Sequence, residues 1–183
     1  LKFSQELNEK AIKKLLTIPH DLGGGGAYIL LYFLTRYLKP KVILETGVAA
    51  GFSSQSFLKA IQKNKIGKLY SSDFPYFRIS NPEKYIGILI EENLKENWQL
   101  GIEGDFINIK SFLKRINTNI NLVHYDSDKS YNGREKVFNL INSKIDENTF
   151  IIIDDIQDNS YFIEYINKNK ILNWKIFKFE FKY

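Results

Sequence analysis

The sequence has no cysteine and no methionine, and it has only two histidines and four prolines among its 183 residues. The absence of cysteine excludes disulfide bonds, cysteine-ligated zinc and a thiol nucleophile, and it fits a reducing compartment. No run approaches the roughly 18–20 apolar residues that a membrane-spanning helix needs, and no signal peptide is visible. We therefore expect a cytoplasmic protein with no membrane partner.

The residues that are present are typical of one folded domain. Hydrophobic residues make up 44% of the chain and aromatic residues 15%, which is enough for a substantial core within a single domain of residues 1–183. The net charge of +5 comes from lysines spread over the whole chain. A nucleic-acid surface would need clustered basic residues with aromatic residues between them, so we expect solvated helix faces and no nucleic-acid partner.

The first 40 residues predict two helices joined by a run of glycines. An amphipathic pattern covers residues 4–16, and a very apolar helical pattern covers residues 27–38. Four consecutive glycines at 23–26 form a flexible joint between them. We interpret residues 1–40 as a cap or lid on a core that spans residues 41–183.

Beyond residue 40, short apolar runs alternate with helical patterns. The apolar runs indicate strands at 42–46, 68–73, 100–104, 120–125 and 149–154. The helical patterns lie at 52–64, 83–97, 106–116, 131–144 and 159–168. A final aromatic run over 174–183 predicts a sixth strand. This alternation predicts an α/β fold with a doubly wound, mostly parallel sheet of six or seven strands and helices on both faces.

Acidic residues follow each of the first five predicted strands. They are Glu45, Asp73, Asp105, Asp126 with Asp128, and the pair Asp154 and Asp155. The carboxyl ends of parallel strands meet at one edge of a sheet, where ligands bind. Any one of these acids has the alternative role of capping a turn or a helix. Together they crowd negative charge that a cation, hydroxyl groups or N–H donors must balance, and they predict a binding site at this edge.

The turn after the first predicted strand has small residues at every second position. These are Gly47, Ala49 and Gly51, and a helical pattern begins at Phe52. Such a turn lets a ligand approach the backbone closely, and the helix N-terminus offers free N–H groups. We therefore expect a nucleotide-like cofactor at this turn.

These motifs occur in the same order as in a known protein family. The run Glu45-x-Gly47-x-Ala49-x-Gly51, then Asp73, then Gly104-Asp105, then Asp126 is similar to class I S-adenosylmethionine-dependent methyltransferases over about residues 25–170. The segments 125–133 and 150–156 resemble the small-molecule O-methyltransferase branch of the catechol and macrocin type, methyltransferase family 24. The resemblance implies a Rossmann-like fold and S-adenosylmethionine as the cofactor.

The same resemblance assigns cofactor contacts residue by residue. It implies that Asp73 accepts hydrogen bonds from the ribose hydroxyls, that Phe74 lies against the adenine, and that Asp105 accepts from the adenine amino group. It places Glu45 near the amino group of the methionyl part. The full set of implied cofactor residues is Glu45, Gly47, Ala49, Gly51, Ser53, Asp73, Phe74, Gly104, Asp105 and Asp126.

A metal site is the second implication of the resemblance. Asp126, Asp154 and Asp155 match the positions at which catechol-type O-methyltransferases hold magnesium, with Asp155 in the place of an asparagine. Carboxylate ligands suit Mg²⁺ or another divalent cation, which would polarise a substrate hydroxyl and fix its oxygen. The alternative is that Asp154 and Asp155 cap the following turn while Asp126 binds only the cofactor.

The predicted catalytic residues are Asp126 and Lys129. The related branch places a histidine where this chain has Lys129. A lysine beside several carboxylates has a raised pKa and is a poor base, so Lys129 either binds an anionic substrate group or is an exposed loop residue. We expect His124 to pack or bond locally within its strand, and His20 remains a candidate for a substrate contact.

We expect the acceptor to be a small molecule that carries a hydroxyl group, such as a sugar, a phenol or a natural-product scaffold. Two alternatives remain open. A nicotinamide-dependent oxidoreductase would need a third glycine at position 52, which is Phe52. A non-catalytic methyltransferase-like binding module is favoured by the lysine at position 129. Methylation of a nucleic acid is not supported, because no Asn-Pro-Pro-aromatic run follows the fourth predicted strand.

The C-terminal aromatic run leads to a prediction about assembly. The resemblance implies a seventh, antiparallel strand beside the sixth, and the chain ends soon after the sixth begins. Either the sheet has six strands, or residues 174–183 form a short hairpin, or the chain is truncated. An uncovered apolar strand can pair with another subunit, so we expect a homodimer.

Overall fold

The computed structural model describes residues 2–76 and 78–178, and these residues contain five strands and six α-helices. The strands are β1 (Val42–Thr46), β2 (Lys68–Ser72), β3 (Trp98–Gly101), β4 (Leu122–Tyr125) and β5 (Phe150–Ile153). The α-helices are α1 (Lys2–Leu15), α2 (Tyr28–Leu38), α3 (Phe52–Asn64), α4 (Asp105–Leu113), α5 (Tyr131–Ile141) and α6 (Tyr161–Lys168). Short 3-10 helices occupy Pro82–Lys84, Glu92–Asn97, Asn142–Lys144 and Ile156–Asp158.

All five strands are parallel and lie in the order β3-β2-β1-β4-β5. Leu44 at the centre of β1 pairs with Tyr70 on one side and with Val123 on the other. The strand order reverses between β1 and β4, and ligands bind at such a reversal, beyond the carboxyl ends of the strands. The predicted α/β class and Rossmann-like arrangement are confirmed.

The core lies on both faces of the sheet because successive strand side chains point to opposite faces. Leu44 belongs to a buried cluster with Phe112 of α4 and Phe138 of α5. Its neighbour Ile43 belongs to a second cluster, with Phe57 of α3. The three inner strands β1, β2 and β4 are buried on both sides, so near-continuous apolar runs suit them better than alternating ones.

The two N-terminal helices pack on the same side as α3. Leu31 of α2 is buried against Phe57 of α3. Leu7 and Ala11 of α1 pack with Phe52, at the point where β1 turns into α3. The N-terminal segment therefore lies against the turn for which a ligand is predicted. Within the described ranges, no helix is both long enough and apolar enough to cross a membrane.

The sheet has five strands where six or seven were predicted. Residues 174–178 form no strand, and 179–183 lie outside the described residues. Trp174, Ile176 and Phe177 are exposed, and none of them joins the sheet in the described part of the chain. An alternating aromatic pattern indicates strand propensity, but pairing depends on a partner edge that a local pattern does not specify. The homodimer inferred from this run stays a prediction.

The helix predicted over 83–97 was also wrong. The chain bends at Gly87, whose φ of +68° lies in the left-handed region. The Gly87 N–H donates to the carbonyl of Ala49 at 2.8 Å, and the Leu89 N–H donates to the carbonyl of Ala50 at 3.0 Å. This segment therefore makes backbone hydrogen bonds to the turn after β1, which a helix of its own would not allow.

Candidate functional site

A cavity of about 570 Å³ opens at the carboxyl edge of the sheet, across the point where the strand order reverses. Among the predicted site residues, its lining includes Gly47, Ala49, Ser53, Asp73, Phe74, Gly104, Asp105, Asp126 and Asp154. The predicted residues outside the lining are Glu45, Gly51, Lys129 and Asp155. The structure thus brings most of the predicted set, drawn from separate strand ends, around one cavity.

The turn after β1 is shaped by Gly47 and held by Asp73. Gly47 has a φ of +81°, and a Cβ at this position would collide with the backbone carbonyl of Asp126. The Asp73 Oδ2 atom accepts hydrogen bonds from the N–H groups of Val48 at 2.9 Å and Ala49 at 2.8 Å. The turn after β1 therefore passes close to the end of β4. The hydrogen bonds of Asp73 connect the end of β2 to this turn.

Asp73 retains capacity to bind a ligand. Its Oδ1 atom accepts from the Phe74 N–H at 2.6 Å, so three backbone donors in all reach the carboxylate. A carboxylate offers about four acceptor sites, which leaves about one for a bound group. Burial raises the pKa of Asp73 above its ordinary value, although these three N–H donors oppose the shift.

Asp105, a half-buried carboxylate, and two aromatic rings lie together in the lining of the cavity. Asp105 at the start of α4 accepts hydrogen bonds from Ser72 Oγ at 2.6 Å and from Ser127 Oγ at 2.5 Å. Burial raises the pKa of Asp105, and the two serine hydroxyls partly offset that effect. The rings of Phe74 and Phe106 also line the cavity and are largely exposed. Phe106 was not among the predicted residues, although its place directly after Gly104-Asp105 marks it as a candidate.

Glu45 and His124 form a buried polar pair behind the turn. Glu45 Oε2 accepts from Ser54 Oγ at 2.6 Å and from Ser71 Oγ at 2.7 Å. Glu45 Oε1 has no hydrogen-bond partner among the described residues, and neither has His124 Nδ1, which lies 3.8 Å from it. His124 also lines the cavity. The structure therefore places Glu45 beneath the turn, with His124 between its free oxygen and the cavity.

Three ionisable side chains converge where β4 and β5 end. His124, Asp126 and Asp154 each offer one ligand atom within 4.8 Å of the others. Asp155 is not part of this group of three, and its Oδ2 atom lies 3.1 Å from Lys129 Nζ. Lys129 Nζ also contacts Asp126 Oδ1. Two of the three predicted metal ligands are thus bound to an ammonium group, and the predicted set does not stand free for a metal.

The pKa values at this cluster follow from burial and from the ion pairs. Burial raises the pKa of Asp126, with the contact to Lys129 acting against it. Burial acts to raise the pKa of Asp155, but the contact with Lys129 outweighs this effect, so the pKa is lowered from its ordinary value. Burial acts to lower the pKa of Lys129, and its contacts with the two carboxylates produce a net upward shift. Lys129 is therefore a cation at neutral pH.

Arg134 of α5 is a site residue that sequence reasoning missed. It is fully buried, and its Nη2 atom donates to the backbone carbonyls of Asp154 at 3.2 Å and Asp155 at 2.8 Å. Its Nη1 atom donates to Asn159 Oδ1 at 3.2 Å, and Asn159 Nδ2 donates to the carbonyl of Lys129 at 2.7 Å. Its burial could have been predicted from the sequence, because position 134 lies at helical spacing from the apolar positions 137, 138 and 141 and shares their buried face.

The glycine run between α1 and α2 borders the cavity. Gly24, Gly25 and Gly26 all line it. Tyr76, from the loop after β2, donates a hydrogen bond from its hydroxyl to the carbonyl of Leu22 at 3.1 Å, which ties this run to the loop. Burial raises the pKa of Tyr76 to about 12. The run is placed as the cap prediction requires, and its closure over a ligand stays a prediction.

Solved structures with a similar fold include several O-methyltransferases. TomG from Streptomyces achromogenes, in complex with SAM, is 18% identical with a TM-score of 0.60, and the match covers 91% of this chain and 70% of that chain. An O-methyltransferase from Bacillus cereus, in complex with SAH, is 15% identical with a TM-score of 0.64, covering 88% and 78%. CalS11, a TDP-rhamnose 3′-O-methyltransferase, is 21% identical with a TM-score of 0.58, covering 80% and 68%. The shared fold is the Rossmann-like methyltransferase fold.

Sequence comparison identifies the family. The family model described as a methyltransferase domain, Methyltransf_24, matches residues 44–156, which is more than half of the chain. No curated protein matches the sequence. The chain belongs to this methyltransferase family, and the resemblance to class I S-adenosylmethionine-dependent methyltransferases is confirmed.

Proposed function

We propose that this protein uses S-adenosylmethionine to methylate a hydroxyl group of a small molecule. The observation that carries the proposal is the cavity at the strand-order reversal, which is lined by the Gly47 turn and by the Asp73 and Asp105 carboxylates. Its volume of about 570 Å³ lies within the roughly 300–1,000 Å³ that is usual for small-molecule sites. Membership of the methyltransferase family supports the same reaction class.

The cofactor fits these residues on chemical grounds. Asp73 has acceptor capacity left for ribose hydroxyls, which are donors. Phe74 and Phe106 offer exposed ring faces for a flat base, and Asp105 lies at the same end of the cavity. The backbone at Gly47 is open to the cavity because no side chain covers it. We assign the nucleoside to the Asp73–Asp105 end and the methionyl part to the Gly47 end.

The reacting end of the cavity is the one that holds Asp126 and Asp154. When bound, S-adenosylmethionine supplies an electrophilic methyl group, to which the hydroxyl oxygen bonds while the carbon–sulfur bond breaks and leaves its electron pair on sulfur. We assign to Asp126, which lines the cavity, the role of accepting the hydroxyl proton, either directly or through one water. Lys129 contacts Asp126 and holds its carboxylate in position. Correct placement of the acceptor oxygen supplies the rest of the rate enhancement.

The walls near Asp154 indicate the kind of acceptor. The apolar part of the cavity lining includes Phe52, Leu31 and the glycine run, which comes close to Asp154 at Gly26. Such walls suit the flat or partly apolar face of a phenol, a sugar ring or a natural-product scaffold. The sugar option has a parallel in CalS11, which acts on TDP-rhamnose. A screen of phenolic and sugar acceptors with S-adenosylmethionine would distinguish an enzyme from a module that only binds the cofactor.

Calorimetric titration with S-adenosylhomocysteine tests the cofactor assignment. We expect micromolar binding by the native protein and a loss of at least about tenfold in Asp73→Ala, since that change removes the acceptor for the ribose. Phe74→Ala is a second variant, and it leaves the fold intact because this ring is largely exposed. Asp146→Ala is the matched control: this aspartate accepts the Asn148 N–H at a turn outside the cavity. Failure of the native protein to bind would overturn the proposal.

A further inference from the structure

Lys129 places a positive charge between two strand ends. Its Nζ atom contacts Asp126, which follows β4, and lies 3.1 Å from Asp155 Oδ2, which follows β5. The Lys129 side chain is about one-third exposed, at 31%. The ammonium therefore joins, across the end of the sheet, two of the three carboxylates for which the family resemblance implies a metal.

The surrounding structure holds Lys129 in this position. The Lys129 carbonyl accepts a hydrogen bond from Asn159 Nδ2 at 2.7 Å, and Asn159 in turn accepts from Arg134. Arg134 also binds the carbonyls of Asp154 and Asp155. The loops that carry the lysine and its acidic partner are thus joined through one fully buried guanidinium. The backbone segments from which Lys129 and Asp155 extend are therefore held relative to each other by the fold.

This arrangement conflicts with metal binding by the predicted ligands. A divalent cation on Asp126 and Asp155 would have to displace the ammonium or lie next to it, and two adjacent cations repel each other strongly in a partly buried site. Asp155 is further engaged by Gln157, whose Nε2 atom lies 3.4 Å from its Oδ1 atom. Only Asp154 of the predicted set makes no contact with Lys129 among the described residues.

We propose that Lys129 is a tethered cation that takes the place of the divalent metal in this chain. It neutralises Asp126 and Asp155, two of the three strand-end carboxylates, so that no metal is needed to balance their charge beside the acceptor. The lysine stands at the position where the related branch has a histidine. The part that concerns the acceptor rests on the proposed function, whereas the part that concerns metal exclusion does not.

Metal binding to the protein without cofactor tests the proposal directly. Electron paramagnetic resonance of added Mn²⁺, supported by Mg²⁺ titration calorimetry, reports binding without any need for turnover. We expect no saturable binding by the native protein or by Lys129→Arg, which keeps the charge. In Lys129→Met, Asp126 and Asp155 lose their cation beside Asp154, and we expect Mn²⁺ to bind at least about tenfold more tightly. Circular dichroism establishes that each variant is folded.

Lys136→Met is the control for charge alone. Lys136 also lines the cavity, but it forms no ion pair with these carboxylates in the described part of the chain, and its removal is expected to leave Mn²⁺ binding as weak as in the native protein. Saturable Mn²⁺ binding by the native protein would overturn the proposal and would favour a site built on His124, Asp126 and Asp154. Absence of binding in a folded Lys129→Met would overturn it as well, since the lysine would then not stand in for a metal.

These outcomes are separable from those of the proposed function. Failure to bind S-adenosylhomocysteine would refute the cofactor assignment and leave the Mn²⁺ result as it stands. If an acceptor is found, the native enzyme is expected to keep its rate after treatment with a chelator. A chelator-dependent rate that Mg²⁺ restores would refute the metal-independent role of Lys129 even if the methyl transfer is confirmed.

Discussion

At the scale of single residues, Gly47 shows how one position serves both the fold and the site. Its backbone has a φ of +81° and passes the carbonyl of Asp126 so closely that a Cβ has no room. The neighbouring N–H groups are drawn towards Asp73, which keeps the turn open to the cavity. A glycine here is required by geometry, and the pattern of small residues in the sequence reflects that requirement.

Gly47→Ala is expected to destabilise the protein and to weaken binding of S-adenosylhomocysteine. A strained backbone conformation costs of order 1–3 kcal/mol, and the collision with the Asp126 carbonyl adds to this. Urea unfolding measures the change in free energy. Gly24→Ala is the control, because a Cβ there meets no atom within 4 Å, and we expect a change within about 0.5 kcal/mol. Equal stability of the two variants would contradict this account of the turn.

The partners of individual side chains could not be predicted from the sequence. The strand-end position of Glu45 was visible in the sequence, but its two serine donors come from α3 and β2. The contact between Lys129 and Asp155, which follows β5, likewise depends on how the ends of two strands meet. Residue type and strand position were predictable, whereas the partners of each side chain depend on contacts between segments that are far apart in the chain.

At the scale of elements, Arg134 joins α5 to the segment between β5 and α6. The hydrogen bonds of its guanidinium to the carbonyls of Asp154 and Asp155 satisfy backbone groups at the end of β5. Through Asn159 the same group supports the carbonyl of Lys129. The end of the sheet that carries the acidic cluster is therefore positioned from the side of α5.

Arg134→Ala is expected to lower the free energy of unfolding by about 3 kcal/mol, because it leaves a cavity in place of a fully buried side chain and removes the donors to the carbonyls of Asp154 and Asp155. Arg134→Lys should lower the free energy of unfolding by a smaller amount, since a lysine keeps the charge and one donor group. Asn139→Ala, at an exposed position of the same helix, provides the control and is expected to have little effect. Thermal and urea unfolding measure all three. If Arg134→Ala were as stable as Asn139→Ala, the bonds described here would not hold the segment.

At the scale of the whole molecule, the cavity concentrates buried negative charge in a protein whose net charge is +5. Burial raises the pKa values of Asp73, Asp105 and Asp126, all of which line the cavity. A carboxyl group whose pKa is raised by folding contributes stability that is complete below its unfolded pKa and is lost as the pH rises through its folded pKa. The binding site therefore lowers the stability of the molecule at neutral pH.

Asp105→Asn tests this pH dependence. The change removes the charge and keeps the hydrogen bonds, because the hydroxyl of Ser72 or Ser127 can accept as well as donate. We expect the stability of Asp105→Asn relative to the native protein to increase as the pH rises from the ordinary carboxyl pKa of 3.8 towards neutral. Urea unfolding at several pH values measures the difference. A difference that is constant with pH, or that shrinks as the pH rises, would contradict the raised pKa of Asp105.

The sequence by itself determined the α/β class, five of the strands, the acidic strand ends and the small-residue turn after β1. These are local properties, set by hydrophobic periodicity and by the conformations open to small residues. Tertiary structure alone decided that 83–97 is not a helix, because its N–H groups bond to the carbonyls of Ala49 and Ala50. It also decided that Lys129 joins Asp126 to Asp155 and that Arg134 lies beneath them. Such pairings depend on which distant segments meet in the fold, and no local pattern specifies them.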